Sequence, residues 1–414
     1  MLRTTGPIAG ASTSSRRLLI GLLFAAITLN YVDRQVLALL KPTLMAQFRW
    51  TDTQYALLGQ AFQYAAALSF FVSGWFVDRL GVRRALGVGV VIWSLAGMVH
   101  AFAGSVRQFV LARIVLAAAE TVGTPASVKA AAVYLPLEQR SLALALGNAA
   151  PNVGQILTPL LIPPFALMFG WRAAFIATGA LGFAWIVAWV LGTRNLTPVA
   201  RGGAAATDAV ASVPWRELFR DRRTWALIGA KPLSDAAWFF MLFWIPDFFN
   251  RVFHMTQATL GLPVAIIYSL AAFGALSSGI VFPRLIARGW SVNRARKTSM
   301  FVYACLVLPL PLALLAPNPW IAAMVIGLAL FAHQGFSTNL FGLAADMVPS
   351  ERVGTVFSLG AVAGNVAGAL MIQFAGWSLT HGHGYWPMFT VCASGYLLAL
   401  AWIHILQPVI RAAT

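Results

Sequence analysis

An acidic and a basic residue, Asp33 and Arg34, stand side by side in an apolar stretch of the sequence, residues 18–40. At about 1.5 Å per residue, a helix of this length crosses a hydrocarbon layer of roughly 30 Å. Ionised groups inside a spanning helix are costly unless they are paired or face a wet cavity, so they indicate a functional site. The alternative is that both side chains lie near enough to the helix end to reach water.

A second pair, Arg113 and Glu120, lies in another apolar stretch, residues 107–134. Seven residues are two helical turns, so the two side chains share a helix face. With the first pair they can form a buried network of two acids and two bases, neutral while empty. Protonating one acid would free an arginine for an anion, so that proton and anion bind together. A structural cluster that holds two helices together is the alternative, although buried ion pairs stabilise poorly compared with apolar packing.

The composition is that of a polytopic membrane protein: 59% of the 414 residues are hydrophobic and 10% are charged. The net charge of +17 does not indicate a nucleic-acid partner, because no soluble domain with a basic face is present. Cys305 and Cys392 lie in apolar runs, which argues against a disulfide or a metal site. No phosphate loop or nucleophile constellation stands out, so the sequence indicates neither an enzyme nor a bound cofactor.

Twelve apolar segments are long enough to span a bilayer. They lie at 17–40, 53–77, 84–104, 107–134, 140–168, 172–193, 224–250, 258–284, 297–316, 319–345, 352–377 and 384–407. The sequence thus predicts an all-α protein with a six-helix bundle at 1–193, a flexible linker at 194–223 and a second bundle at 224–414. The end of the linker, residues 215–220, is either an amphipathic surface helix or plain solvated chain.

Basic residues predict the orientation of these segments. With the N-terminus in the cytoplasm, cytoplasmic segments carry 20 Lys and Arg, and the opposite loops carry five. Four more, Arg34, Arg113, Lys129 and Lys231, fall inside spans. Because basic residues are retained on the cytoplasmic side, both termini are expected there.

The two halves resemble each other. Pro136 and Asn152 recur 213 residues later as Pro349 and Asn365, with matching Gly and Ala positions between them. The pattern predicts two parallel repeats with a substrate site at mid-membrane between them.

A glycine-rich turn with charged residues joins the second and third segments. Its glycines permit a tight turn, and its acidic side chain can accept a hydrogen bond from a helix N-terminus or from an arginine. The residues predicted to form this conformational latch are Gly74, Asp78, Arg79, Gly81 and Arg83. The run resembles the signature G-x-x-x-D-R-x-G-x-R-R of the major facilitator superfamily, and all six specified positions match. An ordinary basic loop would explain the arginines but not the ordered Gly and Asp.

The seventh and tenth segments also carry polar residues at membrane depth. Asp235 stands one turn after Lys231, which suggests a local ion pair, and Trp238 offers an aromatic plane suited to a sugar ring. His333, Ser337 and Asn339 can hydrogen-bond a polyol, although packing between helices would also explain them.

Together these stretches resemble the anion:cation symporters of that superfamily, and within them the hexuronate transporters. The resemblance implies that Arg34 binds the substrate carboxylate, that Asp33 and Glu120 carry coupling protons, and that Arg113 is their partner. The substrate-binding residues expected on this basis are Tyr31, Arg34, Gln155, Trp238, His333, Ser337, Asn339 and Asn365. One departure stands at Ala66, where the family commonly has a tyrosine; this leaves room for a bulkier or differently oriented substrate.

The sequence therefore predicts a proton-coupled symporter that imports sugar acid anions, hexuronates above all, by alternating access. It is expected in a bacterial inner membrane, as a monomer, with substrate, protons and lipid as its partners. The alternatives are a carrier of another carboxylate, such as an aldonate, aromatic or short aliphatic acid, and a transporter-like nutrient sensor.

Overall fold

The computed structural model of the protein describes residues 13–197, 215–348 and 350–410. Helices account for nearly all of these residues. The α-helices are α1 (Thr13–Leu39), α2 (Lys41–Phe48), α3 (Asp52–Leu80), α4 (Val82–Val99), α5 (Val106–Glu120), α6 (Gly123–Tyr134), α7 (Leu137–Phe169), α8 (Trp171–Thr193), α9 (Trp215–Arg220), α10 (Arg222–Phe253), α11 (Gly261–Ala287), α12 (Val292–Val307), α13 (Pro319–Met347), α14 (Ser350–Thr380) and α15 (Trp386–Leu406). Most of the predicted linker, residues 198–214, lies outside the described residues, so the domain boundaries stay a prediction.

The prediction of twelve membrane spans is confirmed. Eleven of them correspond to one long helix each, in some cases with a short 3-10 turn, and α2 and α9 are too short to cross. The span predicted at 107–134 is two helices, because α5 ends at Glu120 and α6 begins at Gly123. Between them the amide of Val122 donates to the carbonyl of Ala119, three residues back, which tightens the turn. The helix break therefore falls at the acid of the predicted network.

The helices pack as two bundles. In the N-terminal half (residues 13–197), α1 packs on α7 and α8, and α3 on α5. In the C-terminal half (residues 215–410), α10 packs on α14 and α15, and α11 on α13. Between the halves, α3 packs on α14, α7 on α11, and α1 on α10.

The two halves are bonded together near one membrane face, which we call the far face because it lies opposite the N-terminus of α1. There Gln60 Nε2 donates to Gln373 Oε1 at 2.9 Å, and Thr53 and Thr380 share a hydroxyl contact of 2.9 Å. At Gly376 the helices come so close that a Cβ would lie 2.9 Å from the carbonyl oxygen of Asp52. The far face is thus closed in this structure.

Candidate functional site

The predicted network contains one direct ion pair, between Arg34 on α1 and Glu120 at the end of α5. The Arg34 Nε atom donates to Glu120 Oε2 at 2.7 Å. Glu120 is 2% exposed, while the Arg34 side chain is 17% exposed, so the arginine reaches the cavity and the acid lies behind it. The Arg34 guanidinium also lies 4.9 Å from the centre of the Tyr31 ring. Arg34 is therefore held in place by a buried counter-ion and an aromatic face.

Arg113 supplies a second guanidinium beside the first. It is 2% exposed and donates to the backbone carbonyl of Arg34 at 3.4 Å. The ring of Phe62 on α3 lies between the two cations, 5.1 Å from the Arg34 guanidinium and 5.5 Å from that of Arg113. Among the described residues, no carboxylate lies within ion-pair distance of Arg113. Glu120, two turns away on the same helix, is paired to Arg34 instead.

Asp33, the other acid, is 6% exposed and points away from Arg34, toward α4 and α8. It lies near Gly97 and beside the hydroxyl of Thr178, with Arg113 and Glu120 in electrostatic range. Within the described part of the chain, Asp33 has no cation within 4.0 Å. A carboxyl group placed in this way can take up and release a proton without breaking an ion pair.

Arg34 lies where two cavities meet. One, of about 30 Å³, lies between the halves and is lined by Arg34, Gly59, Phe62, Gln63, Arg113, Phe239, Leu242, Phe243 and Ile372. The other, of about 80 Å³, is walled by the N-terminal half, including Asn30, Tyr31, Arg34, Glu120 and Thr124. The first cavity, which we call the interhalf cavity, is where a cargo molecule would touch both halves.

Three residues that line the two cavities carry a buried polar atom without a hydrogen-bond partner among the described residues. These atoms are Gln63 Oε1, Arg113 Nε and Glu120 Oε1. On α7, Asn152 Oδ1 and both amide atoms of Gln155 also lack a partner. Such atoms are rare in folded proteins because each costs free energy when buried without a partner. A polar ligand at Arg34 can supply partners to the three atoms that line the cavities.

The predicted residues of the C-terminal half differ in their availability to cargo. The ring of His333 stacks on that of Trp238 at 4.9 Å, which covers one face of the indole. His333 Nδ1 lies 2.8 Å from the hydroxyl of Tyr396. Asn339 is fully buried, and its side-chain amide group forms hydrogen bonds with Arg296 and Ser278. Asn339 therefore connects α13 to α11 and α12.

The two other predicted residues of this half are largely buried. Ser337 is 7% exposed and Asn365 is 8% exposed. Asn365 donates to the carbonyl of Ala361 in its own helix at 2.8 Å. None of the predicted residues on α13 and α14 lines the interhalf cavity, whose C-terminal wall is apolar.

Asp235 and Lys231 form the local ion pair that their spacing predicts, at 2.7 Å. The pair packs against α14, where a Cβ at Gly360 would lie 3.1 Å from the Lys231 side chain and one at Gly364 would overlap Asp235. The glycines of α14 therefore make room for this ion pair.

A four-membered ion-pair ring joins the halves at the far face. Lys41, which is 0% exposed, lies 2.9 Å from Asp52 Oδ1 and 2.7 Å from Asp247 Oδ1. Arg251 pairs with the same two acids, at 2.9 Å from Asp247 Oδ2. Burial lowers the pKa of Lys41, although both carboxylates act to raise it. Each cation thus bridges an acid of the N-terminal half and an acid of the C-terminal half.

Aromatic side chains surround this ring. The Lys41 ammonium lies 3.9 Å from the centre of the Trp244 ring and 4.7 Å from that of Tyr55. The hydroxyl of Tyr385 donates to Asp247. These four charges are not among the predicted site residues, because in sequence Lys41 and Arg251 count as loop charges. Only the i,i+4 spacing of Asp247 and Arg251 gives a signal.

The family model described as the Major Facilitator Superfamily matches residues 23–372 of the chain. The chain belongs to this superfamily. It is 29% identical over 413 residues to the probable L-galactonate transporter of Escherichia coli K12, and the aligned region covers 94% of this chain and 89% of that protein. It is 28% identical over 390 residues to the hexuronate transporter of the same strain, over 91% of this chain and 90% of that protein.

Among solved structures, the chain resembles a bacterial homologue of the human lysosomal transporter Spinster, in an inward-facing and unoccupied conformation. The TM-score is 0.78, at 19% identity, over 96% of each chain. This likeness concerns the fold alone. The family match, the two relatives and the twelve spans together show that the protein is a multi-pass membrane transporter of the Major Facilitator Superfamily and not an enzyme.

The superfamily signature lies at the opposite membrane face, the near face, where α3 ends and α4 begins. Gly81 has φ +75°, which favours glycine, and forms the turn. Asp78 accepts from Lys129 of α6 at 2.5 Å, and Arg83 donates to the carbonyl of Val190 at 3.3 Å. The predicted latch therefore ties α3 to α6 and α4 to α8.

The remaining signature residues make fewer contacts. Arg79 lies 5.7 Å from the ring of Trp75, and a Cβ added at Gly74 would meet no atom of the described residues within 4 Å. The sequence alone assigns Lys129 no role, because it lies 51 residues after Asp78. In the C-terminal half, where the corresponding loop lacks the acid, Arg296 pairs with Asp346 of α13 at 2.9 Å.

Proposed function

We propose that the protein is a proton-coupled symporter that imports an organic carboxylate by alternating access. The observation that carries this proposal is the Arg34–Glu120 pair, at 2.7 Å, at the wall of a cavity between the halves. A guanidinium at such a wall can bind a carboxylate through two parallel hydrogen bonds.

Competition for Arg34 couples the proton to the cargo. While Glu120 is ionised it occupies the guanidinium, and cargo would have to displace it. Once Glu120 takes up a proton, Arg34 is free for the cargo carboxylate, and the charge of the site is restored. Release at the other membrane face reverses both steps.

Alternating access also needs the far face to open. Splitting the far-face ring between the halves leaves Lys41 with Asp52 in one half and Arg251 with Asp247 in the other. Each half then retains a neutral pair, so opening leaves no buried charge without a partner. The near-face latch, by contrast, acts within the N-terminal half.

For cargo, we infer a sugar acid, with hexuronates as the first to test. Two relatives that match along most of the chain are named for L-galactonate and hexuronate transport. A second cargo class, carboxylates with an aromatic or aliphatic body, is favoured by the apolar side chains of Phe239, Leu242 and Phe243 in the interhalf cavity. We further propose that the protein works as a monomer in a bacterial inner membrane, with both termini cytoplasmic and no cofactor.

Uptake of labelled galacturonate into proteoliposomes, with and without an inward proton gradient, tests the proposal. Gradient-stimulated uptake that unlabelled galacturonate and galactonate reduce, and benzoate and lactate do not, would support a sugar-acid symporter. Inhibition by benzoate or lactate would move the cargo to the second class. Binding without uptake would contradict transport and favour a sensor.

A further inference from the structure

Three of the residues that line the interhalf cavity have polar side chains, and they differ in whether they donate or accept hydrogen bonds. Two are the guanidinium groups of Arg34 and Arg113, which only donate hydrogen bonds. The third is the amide of Gln63 on α3, and the other lining residues are apolar. The Gln63 oxygen is thus the one side-chain acceptor among the residues that line this cavity.

Gln63 is placed by the face that α3 turns toward the cavity. Gly59, Phe62 and Gln63 follow one another at helical spacing and all line it. At Gly59 a Cβ would lie 2.8 Å from the ring of Phe243, so α3 and α10 approach closely there. Gln63 is consequently fixed beside Phe62, the ring on which both guanidinium groups lie.

The amide oxygen of Gln63 is buried without a partner. The residue is 3% exposed, and Oε1 accepts no hydrogen bond from the described residues. Leaving such an acceptor without a donor costs free energy, so a ligand that supplies a donor is favoured over one that does not. A carboxylate cannot supply it, because a carboxylate only accepts.

We propose that Gln63 is a specificity-determining residue that accepts a hydrogen bond from a cargo hydroxyl on the first or second carbon from the carboxylate. This inference rests on the proposed function and narrows its cargo to hydroxy carboxylates. The two arginines hold the carboxylate, and Gln63, next to them, reads the hydroxyl beside it. The apolar wall of the C-terminal half then packs against the carbon chain.

The test pairs an isosteric variant with cargo molecules that lack one hydroxyl. Initial uptake rates of galactonate, 2-deoxygalactonate and 3-deoxygalactonate are measured for the native protein and for Gln63→Met. We expect the native protein to prefer galactonate over one deoxy analogue by about 10- to 100-fold in kcat/KM. In Gln63→Met that ratio should fall to about 3-fold or less.

The deoxy analogues also control for folding. Gln63→Met should transport the discriminated analogue at a rate close to that of the native protein, which a misfolded variant would not do. The same substitution at Gln334, an amide on α13 that does not line the cavity, should leave the ratio unchanged. If the cargo has another carbon skeleton, two other pairs of carboxylates replace the galactonates. Lactate and propionate differ only in the hydroxyl on the first carbon from the carboxylate, and so do mandelate and phenylacetate.

Equal ratios in the native protein and Gln63→Met would overturn the inference and leave the proposed symporter standing. Failure of the native protein to take up any of these carboxylates would instead overturn the proposed function, and the role of Gln63 with it. The two failures are therefore distinguishable.

Discussion

Arg34 joins an ion pair, two aromatic contacts and the wall of a cavity in one side chain. It pairs with Glu120 at 2.7 Å, lies against the rings of Tyr31 and Phe62, and lines the interhalf cavity. Arg34→Ala removes the proposed carboxylate ligand and leaves a buried acid without its counter-ion. We expect uptake to fall by about 100-fold or more. Arg172→Ala, which removes a cation lying on Trp171 at the start of α8, is the control. Transport by Arg34→Ala with near-native KM would exclude Arg34 from the site.

Glu120 gives a different expectation, because its proposed role is coupling and not binding. Glu120→Gln mimics the protonated acid and keeps a hydrogen-bonding group beside Arg34. Cargo should still exchange across the membrane, while a proton gradient should no longer concentrate it. Counterflow of labelled cargo measures the first property and gradient-driven accumulation measures the second. Native accumulation in Glu120→Gln would show that the coupling proton is carried elsewhere.

At the scale of the helices, the far-face ring links the starts of α2 and α3 to the end of α10. Its four charges form four contacts, two within the halves and two between them. Asp247→Asn removes one contact within the C-terminal half and one between the halves, and weakens the hold on Lys41. We therefore expect the balance between conformations to move toward an open far face.

Labelling of a cysteine introduced at Ala56 measures this shift. Ala56 is 2% exposed and faces Gly376 across the closed interface, so a cysteine there should react about tenfold faster in the Asp247→Asn background. Asp346→Asn is the matched control, because that acid pairs with Arg296 inside the C-terminal half. Equal labelling in the two backgrounds would mean that the ring does not hold the far face closed.

Hydropathy predicts all twelve spans, because a membrane helix must be apolar along its whole length. Hydropathy cannot predict the break after Glu120, and the signal for it is instead Gly123 and Pro125, which follow within five residues and interrupt helices. The ring is not predicted because its two contacts between the halves join residues far apart in sequence; Asp52 and Arg251 are separated by 199 residues.

Some residues of the candidate site can also be predicted from the sequence, and others cannot. Arg34 and Glu120 are predicted because charge within an apolar span is conspicuous. Gln63 carries no charge, and its importance depends on which face of α3 meets the cavity. Ala66, one turn farther along, is 2% exposed and packs in the apolar core of the N-terminal half, outside the interhalf cavity. The sequence indicates added space for cargo there, and the structure places that side chain among apolar neighbours.

For the whole transporter, the charges of the central network determine whether transport moves net charge. Asp33 and Glu120 balance Arg34 and Arg113 in the empty protein if all four are ionised. Glu120 can exchange its place at Arg34 for a cargo carboxylate, which requires one proton. Asp33 has no cation within 4.0 Å among the described residues and can take a second proton independently.

Two protons and one monovalent anion carry a net charge of +1, so we predict that transport is electrogenic. An inside-negative potential, set with valinomycin and a potassium gradient at equal pH on both sides, should then drive uptake in proteoliposomes, since about 2.3 kcal/mol is gained per charge and 100 mV. Asp33→Asn removes one proton carrier and should abolish the response to potential while a pH gradient still drives uptake through Glu120. Uptake by the native protein that follows the pH gradient alone would mean that one proton accompanies each anion, and Asp33 would then be a structural acid.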